Sequence, residues 1–438
     1  MSDVFKSYDI RGIYPEELNE KLAEKIGKAY AAFLKPENVV VGYDMRVHSK
    51  PLFDALTKGI ISQGANVINI GLCSTPISYF ANGRLGVDGS IMITASHNAG
   101  NWNGFKLCRA NAVPISGATG IKEIEKIVKN ESWSDSEQQG KIINKSIYED
   151  YAEHIKSHSK LTRKLKVVAD FANSMGSYEI AGLRDLFDIV PMNEKLDGSF
   201  PSHEANPLVT ETLNDLCAKV KEVGADFGAG FDGDADRCGF VDNEGNIISM
   251  DLFTALIAKD ILSSGPATIL YDLRSSWAVK ECIEENGGKA IKCRVGHAFI
   301  KSQMRENDAV FAGELSGHYY FKDNYTAESQ ALAFLILGNL ICKSGKTASE
   351  LVAPLRKYYA SGEINSTVKD VSNVLSVIKD EYSDGKMFEL DGLSVEFDDW
   401  WFNVRSSNTE PLLRLNVEAK TEEKMIDKRD ELLKIIRS

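Results

Sequence analysis

No Cys-x-x-Cys pair occurs anywhere in this 438-residue chain. Its seven cysteines, at 73, 108, 217, 238, 282, 293 and 342, are odd in number and scattered. That excludes a zinc framework of paired thiolates and a dense disulfide scaffold, and it fits reduced thiols in a cytoplasm. Long apolar runs are missing too. The longest, residues 331–337, falls far short of the about 20 residues that span a bilayer. The opening residues, Met1-Ser2-Asp3-Val4-Phe5-Lys6-Ser7, lack the apolar stretch of a signal peptide. Positive charge is in deficit. A net charge of −12 argues against a general nucleic-acid or anionic-membrane binder, yet leaves room for a small anion held by a local cluster of Arg and Lys.

What is present is the balance of a soluble protein, 43% hydrophobic and 26% charged. The length calls for three or four domains. Strand-like and helix-like stretches alternate from Asn38 onward. Val39-Val40-Val41 ends in Gly42-Tyr43-Asp44, and Leu52, Ala55, Leu56, Ile60 and Ile61 then follow helical spacing. A strand at 67–70 precedes a helix opened by Ser74-Thr75-Pro76. Ile91-Met92-Ile93 then breaks into Thr94-Ala95-Ser96-His97-Asn98. The pattern restarts near Lys166, with helices expected at 178–186 and 210–223, and again near Leu252. Each unit delivers polar loops at strand ends, where α/β enzymes place reacting groups. Residues 129–145, charged and serine-rich, read as a surface connection. Past Gly362 strands crowd together without helices between them, before a last helix at 422–436. The expected domains are 1–150, 151–249, 250–361 and 362–438. The fold class is α/β: three similar domains with mixed, mostly parallel sheets, and a smaller C-terminal α+β domain around a central cleft.

Asp232-Gly233-Asp234-Ala235-Asp236 sets three carboxylates at alternate positions after a strand. Hard oxygen ligands at that density suit Mg²⁺, which shares its shell with waters and phosphate oxygens. An EF-hand is excluded, because Arg237 stands where its loop needs glycine and Asn243 where it needs glutamate. Gly228-Ala229-Gly230-Phe231-Asp232-Gly233 fits a dinucleotide fingerprint in letters only, since acids follow where a helix N-terminus is needed. Gly345-Lys346-Thr347 lacks the first P-loop glycine, replaced by Leu340, and Ser96 lacks a nucleophile elbow. Arg405 with Ser407, Asn408 and Thr409 makes an oxyanion cradle, with Arg414 on the strand after it. Glu314, Ser316 and His318 alternate donors and acceptors as a sugar diol requires.

Together these motifs resemble the α-D-phosphohexomutase superfamily, in its phosphomannomutase/phosphoglucomutase branch. The likeness covers nearly the whole chain, with four motifs in the family's order: residues 94–98, 232–237, 313–318 and 405–409. It implies transfer of a phosphoryl group between O1 and O6 of a hexose, mannose and/or glucose. Ser96 would be the phosphoserine, and Asp232, Asp234 and Asp236 would join it around one Mg²⁺. Arg237 would sit near the phosphoserine. Arg11, Lys106 and His297 match positions of proton transfer or charge stabilisation. Glu314, Ser316 and His318 would hold the sugar. Arg405, Ser407, Asn408, Thr409 and Arg414 would hold the phosphate that is not reacting, with Tyr8 and Arg274 lining the cleft. A hexose 1,6-bisphosphate is the expected activator, hexose phosphates the partners, and a monomer or weak homodimer in the cytoplasm the expected state. Ala99, Ala235 and Arg274 depart from the residues common in the family, and none removes a reacting group. A metal-dependent sugar phosphatase and a phosphoglucosamine mutase remain open from sequence. Leu315 disfavours the second, because glucosamine-specific relatives tend to carry glutamine there.

Overall fold

Val39, Val40 and Val41 are β-branched and inaccessible to solvent, so both faces of their strand are covered. They lie in Asn38–Tyr43, an interior strand of the first of four sheets. The computed structural model describes residues 4–406 and 412–437. In the first sheet Asn38–Tyr43 runs parallel to Asn66–Leu72 and to Gly89–Ile93, and Gly89–Ile93 then turns back into the antiparallel Trp102–Arg109. The second sheet repeats this. Phe227–Phe231 is parallel to Lys166–Asp170 and turns back into Cys238–Asp242. In the third, Phe311–Gly313 is parallel to Thr268–Asp272 and turns back into Tyr319–Phe321. Each reversal leaves a hairpin loop at the C-terminal end of a buried strand: residues 94–101, 232–237 and 314–318. Parallel pairing therefore makes up two of the four strand pairs in the second sheet, a smaller share than strand–helix alternation suggests. The polar loops that bear the motifs are hairpins, not strand-to-helix turns.

The fourth sheet is antiparallel throughout, and Trp400–Ser406 and Leu412–Ala419 form its central hairpin. Side chains alternate across it. Trp400, Phe402 and Val404 pack under the helices Val371–Glu381 and Glu422–Ile436. Trp401, Asn403 and Arg405 occupy the other face, turned toward the third unit: Trp401 Nε1 and the Trp277 backbone N–H both donate to Glu418.

The core does not respect the sequence units. One apolar cluster joins Cys73, Ile77 and Phe80 of the first unit to Phe187 and Phe227 of the second and Phe334 and Leu337 of the third. The longest apolar run is thus an internal helix, Gln330–Ser344, capped by Ser329, which accepts from the Leu332 N–H. Helix Thr75–Leu85 opens as its sequence predicts, with Ser74 accepting from the Ile77 N–H and proline in the first turn.

Three elements differ from the sequence reading. The helix expected at 178–186 is a single turn, Gly176–Glu179, and a 3₁₀ turn, Ala181–Leu183. Gly182 weakens it, and a Cβ there would meet the Cβ of Ala152 at 2.7 Å. Within the 129–145 connection, Ile142–Asn144 adds an edge strand beside Asn66–Leu72, as its paired isoleucines favour. Helix Val371–Glu381 lies where no helix was expected.

Candidate active site

The phosphoserine-like loop is built around a left-handed residue. Ser96 has φ of 52°, a conformation that costs a non-glycine residue about 1 kcal/mol or more and persists only when surroundings impose it. Thr94 Oγ1 accepts from the Ser96 N–H at 2.9 Å. The larger constraint is Arg46, which is buried. Its Nη2 donates to the carbonyls of Ser96 (2.8 Å) and Asn98 (2.6 Å), and its Nη1 to those of Ala99 (2.7 Å) and Trp102 (3.0 Å). Asp44 takes its Nε at 3.2 Å. The sequence reading did not single out Arg46. Its only signal is the polar Asp44-Met45-Arg46 run at the end of the Val39-Val40-Val41 strand.

Ser96 Oγ donates to Asp232 Oδ2 across the gap between the first two units, at 2.9 Å. Asp232, Asp234 and Asp236 are all buried and offer oxygens within 4.8 Å of one another. Burial pushes the Asp232 carboxyl well up, and Asp234 and Asp236 push it further. Burial would also raise Asp236, but Lys106, His318 and Arg237 hold it well below the usual range. Lys106 reaches both Asp236 and, at 2.6 Å, Asp234, which also accepts from Thr75 Oγ1 at 2.6 Å. Burial would lower the lysine, yet the two carboxylates raise it, so Lys106 stays a cation. The Arg237 N–H closes the loop on Asp232 Oδ1 at 3.1 Å. Ala235, where the family often has glycine, holds φ of 57°. The donor set fits a hard divalent ion. Three carboxylates and a hydroxyl share one buried site, and Asp234 Oδ1 is buried with no hydrogen-bond partner.

Around this centre, Arg11 donates to Asn98 Oδ1 at 2.5 Å and pairs with Asp9. The Nδ1 of His97 lies 3.3 Å from Ser96 Oγ. Arg237, burial and Arg11 hold that histidine well below its ordinary pKa. His297 opens the helix His297–Glu306, its ring 5.9 Å from that of Tyr8. Burial, then Lys301 and Lys106, keep it neutral, and its Nδ1 is buried without a partner.

In the third loop Glu314 accepts from the Gly296 N–H (3.0 Å), Tyr320 (2.6 Å) and His318 Nδ1 (3.0 Å). Ser316 Oγ lies 2.8 Å from the same His318 nitrogen. The other nitrogen, Nε2, is 3.3 Å from Asp236 Oδ1. Burial would lower His318, but Asp236 and then Glu314 push it up to about 9, so it is a cation at neutral pH. His318 thereby ties the third loop to the acidic triad.

A second centre lies between the third and fourth units. Arg274 sets its Nε on Asp272, at 3.0 Å from each carboxylate oxygen, and donates Nη1 to Glu363 at 3.2 Å. Arg405 and Arg414 donate to the same carboxylate at 2.7 and 3.2 Å. Burial would raise Glu363, but Arg274 and Arg405 hold it at about 2. Asp272 also accepts from the Leu315 N–H at 3.3 Å, which joins this centre to the 314–318 loop. Ser407, Asn408 and Thr409 lie outside the described residues. Asp44, Arg46, Thr75, Asp272 and Glu363 were not among the site residues expected from the sequence. Each is a partner of a motif residue, not part of a motif.

Comparison with known proteins supplies the family. Residues 2–135, 149–245 and 249–358 match the Phosphoglucomutase/phosphomannomutase alpha/beta/alpha domains I, II and III, and residues 363–435 match the C-terminal domain. This chain belongs to the phosphoglucomutase/phosphomannomutase family. It is 43% identical over 444 residues to a phosphomannomutase of Methanocaldococcus jannaschii, covering 99% of this chain and 97% of that one. A phosphomannomutase of Escherichia coli is 38% identical over 450 residues, covering 99% of both. A crystal structure of a phosphoglucomutase/phosphomannomutase family protein from Burkholderia thailandensis superposes with a TM-score of 0.91 at 31% identity, covering 99% of this chain and 96% of that one. As a member of this family the chain is an enzyme of the mutase class.

Proposed function

We propose that this family member interconverts hexose 1-phosphates and hexose 6-phosphates, of mannose and/or glucose, through a phosphoserine at Ser96 and a hexose 1,6-bisphosphate. One observation carries the reading: the site has two poles. At one, Ser96 Oγ meets a buried acidic triad at 2.9 Å. At the other, Arg274, Arg405 and Arg414 gather on one carboxylate. A phosphatase needs the first pole only. A mutase must also grip the phosphate that is not reacting, so that binding at a remote group positions the reacting hydroxyl.

Ser96, Asp232, Asp234 and Asp236 would hold one Mg²⁺, which supplies charge neutralisation at the transferring phosphoryl group. In the forward half-reaction the free sugar hydroxyl attacks phosphorus. The bond from phosphorus to Ser96 Oγ breaks as the new one forms, and the hydroxyl proton passes to the imidazole of His297, which burial holds neutral. Lys106, Arg11 and Arg237 remain cations and balance charge on the moving group. Glu314, Ser316 and His318 hold the sugar hydroxyls, and Tyr8 lines the approach. After the bisphosphate turns end for end, the other phosphate returns to Ser96 by the same steps in reverse. A trace of bisphosphate recharges any Ser96 that has lost its phosphate. A monomer or weak homodimer in the cytoplasm completes the reading.

The test is an assay with glucose 1-phosphate and mannose 1-phosphate plus a trace of glucose 1,6-bisphosphate. The 6-phosphates should accumulate without matching release of inorganic phosphate. Phosphate release at the turnover rate would reject the mutase in favour of a phosphatase. Ser96→Ala should fold normally and turn over no substrate.

A further inference from the structure

Arg405 and Arg414 stand directly opposite each other in the register of the fourth sheet's central hairpin. Like charges in that position repel and destabilise a strand pair. Glu363 resolves the conflict. It follows Gly362, whose φ of 68° turns the chain, and it immediately precedes the strand Ile364–Thr367. Its Oε1 accepts from Arg414 at 3.2 Å, and its Oε2 from Arg405 at 2.7 Å. Among the described residues it is the one carboxylate paired with either arginine. The same Oε2 accepts from Arg274 at 3.2 Å, so one oxygen bridges the third and fourth units. Arg274 is already fixed by Asp272 and acts as a rigid post.

The bonding is also incomplete in a telling way. Arg405 and Arg414 each give Glu363 one terminal nitrogen, while their Nε atoms are buried without a hydrogen-bond partner. An unsatisfied buried donor costs about 1–3 kcal/mol. Two such donors, on arginines already held in place, leave hydrogen-bonding capacity that Glu363 does not fill and that an acceptor with several oxygens, such as phosphate, would fill.

We propose that Glu363 is a positioning residue for the phosphate cradle. It orients Arg405 and Arg414 and moors them to Arg274, so that the non-reacting phosphate is gripped at a set place relative to Ser96. This rests on the mutase reading above. Its distinctive consequence concerns the bisphosphate, which must turn over within the site without escaping. A loosened cradle should release it.

The experiment compares the native protein with Glu363→Gln and Glu363→Asp. Glu363→Gln should raise KM for glucose 1-phosphate about tenfold while kcat changes less than threefold. It should raise about tenfold the glucose 1,6-bisphosphate concentration needed to sustain turnover, as intermediate is lost. Glu363→Asp, which keeps the charge on a shorter stem, should recover part of both effects and serves alone if the Gln variant does not fold. Calorimetric titration with glucose 6-phosphate should show the same weakening. If KM and the bisphosphate requirement stay within twofold of native, or if binding tightens, the proposal is overturned; tightening would mean that Glu363 competes for the cradle instead of organising it. If the native protein shows no mutase turnover, the functional reading fails by itself. Calorimetry then decides on Glu363, with equal affinities overturning it.

Discussion

A Cβ placed on Gly233 would lie 2.1 Å from the carbonyl oxygen of Ser96. The loop that offers the carboxylates and the loop that offers the hydroxyl touch backbone to backbone at this point, and neither can yield by rotating a side chain. Gly233→Ala must therefore push the loops apart. A displacement near 1 Å at reacting groups costs about 100-fold in rate. We expect turnover to fall by at least that factor while the far-ultraviolet circular dichroism is unchanged. Activity within threefold of native would refute the close approach.

Arg46 acts on the same loop from below. Arg46→Lys keeps the charge beside Asp44 but cannot reach four carbonyls with a planar fork. Buried carbonyls then lose donors, at about 1–3 kcal/mol for each group left unsatisfied. Chemical denaturation should show a loss of roughly that size. Turnover should fall more than tenfold, because Ser96 is no longer held at positive φ.

Glu179 gives the pH dependence of the fold. It accepts from Ser74 (2.6 Å) in the first unit, from Tyr151 (2.7 Å) and from the Ala331 N–H (3.0 Å) in the third. Burial pushes its carboxyl up to about 7, against 4.5 ordinarily. The folded state therefore holds this proton to higher pH than the unfolded chain does. Stability falls as pH rises from about 4.5 to 7 and levels off above that, by roughly 3 kcal/mol in all for this group. Glu179→Gln cannot ionise. Urea melts at pH 5, 6 and 8 should show the native protein losing stability relative to the variant across that window. Parallel curves would contradict the assignment.

The acidic triad should make the fold sensitive to divalent ions. Added Mg²⁺ should raise the melting temperature of the native protein, since an ion bound only by the folded state at 100 times its Kd adds about 2.7 kcal/mol. Asp234→Asn should show little or no rise. An equal rise in both proteins would mean that the ion binds elsewhere.

What could be read in the sequence was what is local in the chain. Asp232, Asp234 and Asp236 are neighbours in a hairpin, as are Glu314, Ser316 and His318, and their chemistry shows in the letters. The supports were hidden because they act across long separations. Arg46 reaches a loop fifty residues on, Thr75 bonds an aspartate of another unit, and Glu363 is a single carboxylate in a plain turn until the fold brings three arginines to it. The antiparallel reversals were hidden for a related reason. Buried strands look alike whichever way the next one runs. The short helix at 176–179 was overestimated because apolar spacing does not register where a glycine must make room for a neighbour.

The apolar cluster that runs through three units, while the fourth keeps its own, also sets how this chain can be recombined. A cut between the first and second units, or the second and third, divides a shared interior and leaves each fragment with a raw apolar face. A cut between Tyr358 and Tyr359 leaves the Tyr358 ring with the shared cluster and divides mainly polar contacts, with Lys292 over the Phe388 ring beside them. The last unit could therefore be exchanged for that of a relative as a cassette, carrying its phosphate grip onto a foreign body provided that the recipient supplies an arginine where Arg274 stands.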